Sequence, residues 1–373
     1  RPISLTAVAS KVMERLVTDK LRVYMSANKL LCCQQHGFVP QRSTTTNLLQ
    51  CDSVIARHLN NRQACDVITL DFSRAFDKVS HSVLASKLTK LGVCGNLHRW
   101  IMDFLSQRSQ FVYYRGVCSL PVAVTSGVVQ GSVIGPQLFL AQINDLPECV
   151  KFSDIWLFAD DSKFVGLASD VRACLRTQSD LSAIEAWSLA NELPLCLPKC
   201  QCMHIGINNV KHSYVLGGTV VPAVNEISDL GLIRTSDFRY NSHVCHTVKK
   251  ASRSAGMLYR CFSSRNVDFL IKLFLAYVRP VLEYASPVWN TKCVSLVQDI
   301  EKVQRRFTKR LPHLRALSYD ERLLHLRLES LESRRTRADL TTAFKAIRGL
   351  LDICPSSIGI ELSSAPTRGK GTN

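Results

Sequence analysis

The sequence has no uncharged apolar run long enough to cross a membrane. Its most apolar stretch, residues 269–285, contains Lys272, Arg279 and Glu283, which the interior of a bilayer would resist. No N-terminal signal peptide is visible either. We therefore expect an intracellular protein of the nucleus and cytoplasm, which is not secreted and has no membrane partner.

Paired cysteine motifs are also missing. The 15 cysteines are scattered, their number is odd, and no two have the CxxC spacing, unlike the cysteines of small secreted domains. Cys200, Cys202 and His204 would share one face of a strand, as zinc ligands do, but no fourth ligand follows at a suitable spacing. We interpret these thiols as reduced, mostly buried packing residues.

Acidic residues are scarce relative to basic ones. The 373 residues include 47 Lys and Arg against 30 Asp and Glu, for a net charge of +17. A basic surface attracts polyanions, so nucleic acid is the first candidate partner and an anionic membrane the second. A basic soluble protein without such a partner is the third possibility. The length and the 46% hydrophobic content predict two or three packed subdomains.

Three aspartates stand at the ends of predicted strands. Asp71 follows the β-branched run 67–70, and Asp160 and Asp161 interrupt a predicted hairpin that begins at residue 155. Carboxylates at such positions are costly unless they are neutralised, and two divalent cations about 4 Å apart would neutralise them and support phosphoryl transfer. Taken singly, an Asp-Asp pair is common in turns, and Asp71 could cap a helix.

The order of several short motifs narrows the function. These are residues 1–5 (RPISL), 35–44 (QHGFVPQRST), 71–79 (DFSRAFDKV), 130–136 (QGSVIGP), 143–146 (INDL), 158–161 (FADD), 199–200 (KC), 229–231 (DLG) and 279–285 (RPVLEYA). In this order and spacing they resemble the reverse transcriptases of non-LTR retrotransposons, the LINE-like, jockey/CR1-type elements. The resemblance covers residues 1–349 and departs from the family pattern at Val129, where a proline is common.

The resemblance implies an α+β fold of the right-hand polymerase type, with fingers, a palm built on an antiparallel sheet, and a helical thumb. We expect the fingers at 1–66 and the palm at 67–236, with an interleaved fingers segment at about 85–130. The thumb is expected at 237–349, followed by a disordered tail at 350–373. An endonuclease domain is expected upstream in the full-length element.

The family's residue roles carry over by position. Asp71, Asp160 and Asp161 would bind two Mg²⁺ ions, for which Mn²⁺ could substitute, and Lys199 would act as general acid towards the pyrophosphate. Contacts to the nucleotide are implied for Phe72 through its carbonyl, Phe76, Gln130, Gly131, Arg1, Lys11 and Arg42. The bulky ring of Phe76 would exclude a 2′-OH, although Phe76 could also be a core residue of a following helix.

A predicted helix in the thumb has an apolar stripe and a basic face. The basic residues are Lys302, Arg305, Arg306, Lys309 and Arg310. They could follow a phosphate backbone, or they could be a solvated helix face.

The predicted reaction is RNA-directed DNA polymerisation, with an RNA template, a DNA primer and dNTPs as partners. An RNA-dependent RNA polymerase is disfavoured because Ala159 replaces the glycine of a GDD hairpin and Phe76 is aromatic. A maturase-like reverse transcriptase and a decayed or domesticated nucleic-acid-binding protein without catalysis remain alternatives.

Overall fold

The computed structural model describes residues 3–361. Its helices are α1 (Val8–Ala27), α2 (Thr44–Asn60), α3 (His81–Lys90), α4 (Gly95–Leu105), α5 (Gly135–Ile143), α6 (Val171–Ala190), α7 (Asn241–Cys261), α8 (Val267–Tyr277), α9 (Arg279–Glu283), α10 (Ser286–Trp289), α11 (Val294–Lys309), α12 (Tyr319–Leu326) and α13 (Leu331–Ile347). Its strands are β1 (Cys65–Leu70), β2 (Arg108–Gln110), β3 (Tyr113–Tyr114), β4 (Val117–Cys118), β5 (Val122–Val124), β6 (Asp154–Phe158), β7 (Asp161–Leu167), β8 (Gln201–Ile205), β9 (Val215–Leu216), β10 (Thr219–Val220), β11 (Glu226–Asp229) and β12 (Leu232–Thr235).

The chain forms two compact units. One comprises Arg1–Ser43 and His58–Asn225, and the other comprises Thr44–Arg57 and Glu226–Asn373. Most of α2 therefore belongs to the second unit, although it lies within the segment 1–66 predicted as fingers. The boundaries between fingers, palm and thumb stay predictions, and residues 362–373 of the predicted tail lie outside the described residues.

The first unit is built on a four-stranded antiparallel sheet with the order β6-β7-β1-β8. The central strand β1 is rich in β-branched residues and almost wholly buried, as its sequence predicts. Helix α6 packs against β7 at Gly166, where an added Cβ would lie 2.2 Å from Oγ1 of Thr177. That close approach requires glycine, and it fixes the helix against the sheet.

The sequence pattern of residues 73–91 predicts one helix up to Gly92, but in the structure the helix starts only at His81. Residues 73–78 form turns, because their backbone groups pair with other segments. The amide of Ser73 donates to the carbonyl of Pro194, and the carbonyl of Phe76 accepts from the amide of Val128. Such bonds replace the i to i−4 bonds of a helix, so the prediction for these residues was wrong.

The helical spacing of Val8, Val12, Leu16 and Leu21 predicts one buried stripe on α1. In the structure Leu21 is buried but Val8, Val12 and Leu16 are exposed, whereas the carboxylate-bearing Glu14 is completely buried. Glu14 accepts hydrogen bonds from the backbone amides of Val133 at 2.6 Å and Ile134 at 3.4 Å. Paired in this way, a buried carboxylate is tolerated, and the apolar pattern alone did not show it.

The second unit has its own apolar core, formed mainly by α7, α8 and α11 with one side of α2. Arg234 of β12 is buried in this unit and pairs with Asp52 of α2 and, at 3.1 Å, with Asp229 of β11. Tyr240 also donates to Asp52. Within residues 3–361, no helix is both long and apolar enough to span a bilayer.

Candidate active site

The sheet register brings the three aspartates to one end of the sheet. Leu70 pairs with Ser162 across β1 and β7, so Asp71 leaves β1 beside Asp161. Phe158 and Asp161 close the β6–β7 hairpin, with Ala159 and Asp160 as its two turn residues. Asp71 is thus a neighbour in the fold of the Asp160–Asp161 pair, which lies 89 positions downstream in the sequence.

Lys199 reaches the same end of the sheet from the other side of β1. It ends a short 3₁₀ helix, Leu197–Lys199, and its Nζ lies 3.3 Å from both carboxylate oxygens of Asp71. The side chain of Lys199 is 62% exposed and that of Asp71 is 28% exposed. A pair this exposed contributes little to stability, so both groups are available for other partners.

The turn that carries Asp160 is held by Gln35. Ala159 has a φ of +55°, the left-handed region that favours glycine. The side chain of Gln35, which is 1% exposed, accepts from the amide of Ala159 at 2.9 Å and donates to its carbonyl at 3.4 Å. One amide side chain therefore contacts both backbone groups of the unusual residue and stabilises its conformation.

The segment around Gln35 runs along the same hairpin. The amide of His36 donates to the carbonyl of Leu157, and the amide of Leu157 donates to the carbonyl of Gln34. An added Cβ on Gly37 would lie 2.3 Å from the amide nitrogen of Ala159. The HGF motif at residues 36–38 therefore has a structural role, since only glycine permits this close approach.

Phe76 lies half-buried between two other aromatic rings. Its ring stacks on that of Phe139 at a centroid distance of 4.3 Å and meets the edge of Phe38 at 6.5 Å. Phe76 is thus a core residue and also keeps an exposed part. Phe72 is 1% exposed and packs against Trp187, so its side chain lies in the core, while its predicted role depends on its carbonyl alone.

Gln130 and Gly131 lie in the turn before α5. The side-chain amide of Gln130 donates to the carboxylate of Asp77 at 2.7 Å. The backbone carbonyl of Gln130 accepts from the backbone amide of Ser4 at 2.8 Å. Gly131 has a φ of +97°, and an added Cβ would lie 2.9 Å from the carbonyl oxygen of Ser4. Glu14 caps the amides of Val133 and Ile134 in the same turn, as described above.

The three basic residues predicted to meet the triphosphate differ in their surroundings. Arg42 donates to the carbonyls of Cys33 at 2.6 Å and Gln35 at 2.8 Å, so its guanidinium holds the loop before the Gly37 segment. Lys11 is half-buried in the first turns of α1. Arg1 lies outside the described residues. Their contact with a nucleotide stays a prediction.

In the second unit, the residues predicted to contact phosphate lie on the exposed face of α11, with Arg310 directly after its last residue. Lys302 pairs with Asp299 at 2.7 Å, Arg305 lies over the ring of Tyr319, and Arg310 lies over that of Tyr259. Arg306 and Lys309 are exposed as well. The opposite face packs in the core, as the apolar stripe predicted.

Three residues that position the site had no role in the sequence interpretation. Gln35 supports the Asp160 turn, Asp77 holds Gln130, and Glu14 caps the turn before α5. Gln35 and Asp77 lie inside the sequence motifs given above. The motifs therefore marked these two residues but did not show what they contact. Glu14 had no signal, because an acidic residue on a surface-type helix is usually solvated.

The donor set suits a hard divalent cation. Asp71, Asp160 and Asp161 offer carboxylate oxygens, the ligands that Mg²⁺ prefers, and a cationic Lys199 already lies beside Asp71. Reverse transcriptases generally use divalent metal ions.

The chain is similar to known proteins over most of its length. The family model described as reverse transcriptase (RNA-dependent DNA polymerase) matches residues 1–270. The chain is 25% identical over 321 residues to a probable RNA-directed DNA polymerase from transposon BS of Drosophila melanogaster, covering 82% of this chain and 35% of the relative. It is 23% identical over 323 residues to the RNA-directed DNA polymerase from mobile element jockey of the same fly, which covers 83% of this chain and 35% of the relative.

Solved structures of telomerase are also similar. The telomerase from Candida albicans in complex with the TWJ fragment of telomeric RNA matches with a TM-score of 0.46 and 14% identity, covering 87% of this chain and 59% of that one. Apo telomerase from Candida tropicalis matches with a TM-score of 0.47 and 10% identity, covering 79% of this chain and 48% of that one.

The chain therefore belongs to the reverse transcriptase family. Its similarity to the polymerases of the BS and jockey elements confirms the predicted resemblance to non-LTR retrotransposons. Family membership also confirms the predicted fold class, the α+β right-hand polymerase fold. The chain spans about a third of the length of the curated relatives it matches.

Proposed function

We propose that this chain is the polymerase core of a non-LTR retrotransposon and extends a DNA primer with dNTPs on an RNA template. The observation that carries the proposal is the convergence of Asp71, Asp160 and Asp161 at one end of the sheet, with Lys199 beside them. The upstream endonuclease domain and the nuclear and cytoplasmic location belong to the same proposal, since they follow from the kind of element.

Asp71, Asp160 and Asp161 would hold two Mg²⁺ ions, or Mn²⁺ in their place. When bound, the ions would activate the primer 3′-OH and neutralise charge on the triphosphate. Lys199 would give a proton to the departing pyrophosphate, a role supported by its contact with Asp71 and its exposure. Phe76, Gln130 and Gly131 would line the incoming nucleotide.

The rival without catalysis is a decayed or domesticated nucleic-acid-binding protein. It predicts template binding and no primer extension. The intact acids and the supported turn at Ala159 favour the polymerase, because binding to nucleic acid alone would need neither a carboxylate cluster nor a strained turn to present it.

Primer extension on an RNA template with Mg²⁺ tests the proposal. The purified chain is compared with Asp160→Asn and with a matched control, Asp154→Asn, which changes an exposed carboxylate at the far end of β6. We expect Asp160→Asn to lose at least about a hundredfold in rate, since it removes a metal ligand worth several kcal/mol in the transition state. The control should keep wild-type activity.

Filter binding of the same RNA–DNA hybrid is measured in parallel. Binding by a folded wild-type chain that shows no extension with Mg²⁺ or Mn²⁺ would overturn the polymerase proposal and favour the binding protein. Equal activity of the wild type and Asp160→Asn would overturn the assigned site.

A further inference from the structure

A second cluster of ligand-type side chains lies on the same sheet, away from the three catalytic aspartates. Asp66 of β1 pairs with His204 of β8, and Cys202 lies two residues before His204 on the same face. The donor atoms of these three side chains all lie within 4.8 Å of one another. Nδ1 of His204 is 2.8 Å from Oδ1 of Asp66 and 3.9 Å from Sγ of Cys202.

The cluster is buried where an isolated charge would be costly. Asp66 is 0% exposed and Cys202 is 1% exposed, while the side chain of His204 reaches 15%. A thiolate, an imidazole and a carboxylate are the ligand types of zinc sites, and a sulfur ligand disfavours Mg²⁺. The pattern therefore suits a borderline cation such as Zn²⁺, and it differs in chemistry from the all-oxygen site at Asp71.

The carboxylate is oriented by further hydrogen bonds. The hydroxyl of Tyr214 donates to Oδ2 of Asp66 at 2.7 Å, and the side-chain amide of Asn209 donates to Oδ1 at 2.8 Å. Such outer partners are typical of metal-binding carboxylates, which they hold in place.

A metal-free interpretation uses fewer of these residues. In it, His204 only pairs with Asp66, and Cys202 is a packing residue without a ligand role. In that arrangement no metal is bound, so replacing the Cys202 thiol with a hydroxyl would not change the metal content of the chain. The two interpretations therefore differ in what they require of Cys202.

We propose that Asp66, Cys202 and His204 bind one Zn²⁺ ion that ties β1 to β8. Three protein ligands leave the fourth tetrahedral position of the ion to a water molecule. Asp71 leaves β1 five residues after Asp66, and Lys199 precedes Cys202 by three. The ion would fix the register of the two strands that present these catalytic groups.

The structure replaces one of the ligands considered from the sequence. Cys200, which precedes β8, does not belong to the cluster, and its thiol contacts the carbonyl of Cys196. The missing ligand is Asp66, which comes from a strand 136 positions upstream of Cys202. Cys200→Ser is consequently a matched control, since it changes a buried thiol of the same segment outside the cluster.

The zinc content of the purified full chain tests the proposal. The wild type, Cys202→Ser, His204→Gln and Cys200→Ser are produced with added zinc, desalted and measured by elemental analysis. We expect one zinc per chain in the wild type and in Cys200→Ser, and at least a tenfold lower content in Cys202→Ser and His204→Gln. Equal zinc in all four proteins would assign the metal to surface thiols and overturn the proposal.

Cobalt substitution keeps the test valid if a variant fails to fold. Co²⁺ bound by the wild type should show the intense visible bands of a tetrahedral site and a thiolate charge-transfer band in the ultraviolet. A wild-type chain that retains no zinc and gives no such bands with Co²⁺ would overturn the proposal. Neither readout depends on polymerase activity.

Discussion

At the residue scale, Phe76 combines packing with a predicted choice of sugar. Its ring is fixed by stacking on Phe139 and remains half-exposed. We expect Phe76→Val to increase incorporation of ribonucleotides by about tenfold or more relative to deoxynucleotides, because a smaller side chain leaves room for the 2′-OH. Single-nucleotide primer extension with dNTP and rNTP measures the ratio.

The control for this substitution is Phe104→Val, which truncates another partly buried ring, stacked on Trp100. It should slow or destabilise the enzyme without changing the sugar preference. If Phe76→Val extends primers with unchanged preference, its ring has only a packing role.

Gln35 acts at the same scale through the backbone of Ala159. Gln35→Met should lower the extension rate by at least about tenfold and raise the Mg²⁺ concentration needed for half-maximal activity, because a small misplacement of Asp160 weakens the metal site. Gln35→Glu retains an acceptor for the amide of Ala159 and should keep more activity than the methionine variant. Titration of Mg²⁺ in the primer-extension assay measures both.

Gln34→Met serves as the neighbouring control, since the side chain of Gln34 contacts Cys33 and not the turn. A Gln35→Met protein of normal stability with the wild-type Mg²⁺ dependence would show that the turn holds its shape without the amide.

At the element scale, the exposed basic face of α11 is the part of the predicted thumb that we expect to contact nucleic acid. Arg306 and Lys309 lie on its exposed face. If they contact phosphates, replacing both with alanine should lower the slope of log K against log salt by about 1 to 2 for a nucleic-acid hybrid. Binding titrations between low and moderate salt measure the slope.

The paired substitution Lys345→Ala and Arg348→Ala removes the same charge from exposed positions at the C-terminal end of α13 and should leave the slope nearly unchanged. Equal slopes for both double variants and the wild type would identify the α11 cations as a solvated face.

The sequence predicted elements well where one signal dominated. Strand β1 and the β6–β7 hairpin followed from β-branched runs, and the apolar stripe of α11 predicted its buried face. The predictions failed at residues 73–78 and on α1, where long-range polar bonds decided the structure. Those bonds join segments about 50 to 120 positions apart, which local periodicity cannot indicate.

For the site, the motifs located the carboxylates but not what holds them. The register that sets Asp71 beside the Asp160 turn depends on pairing between strands far apart in the chain. The supports from Gln35 and Glu14 depend on the three-dimensional course of loops and helices. The residue types thus predicted the catalytic carboxylates, but they did not predict which residues hold those carboxylates in place.

At the scale of the whole molecule, the second unit depends on Asp52, which lies 182 residues from its partner Arg234. Asp52→Asn should destabilise this unit by about 3 kcal/mol, because it leaves a buried guanidinium partly uncompensated. Urea unfolding followed by tryptophan fluorescence measures the change, because Trp289 is buried in this unit and its signal adds to that of the other three tryptophans.

Asp299→Asn breaks the exposed pair with Lys302 and should cost no more than about 1 kcal/mol. An Asp52→Asn protein as stable as this control would show that Asp229 alone suffices for Arg234.

The placement of α2 also affects how the chain is made. Because Thr44–Arg57 belongs to the unit that otherwise starts at Glu226, this helix leaves the ribosome long before its partners exist. Leu48 and Asp52 must wait for β12, α7 and the helices that follow, whereas the four-stranded sheet is complete once residue 205 is synthesised. Translation that stops near residue 225 would therefore release a finished catalytic sheet with one unpaired helix, a natural target for chaperones and proteases.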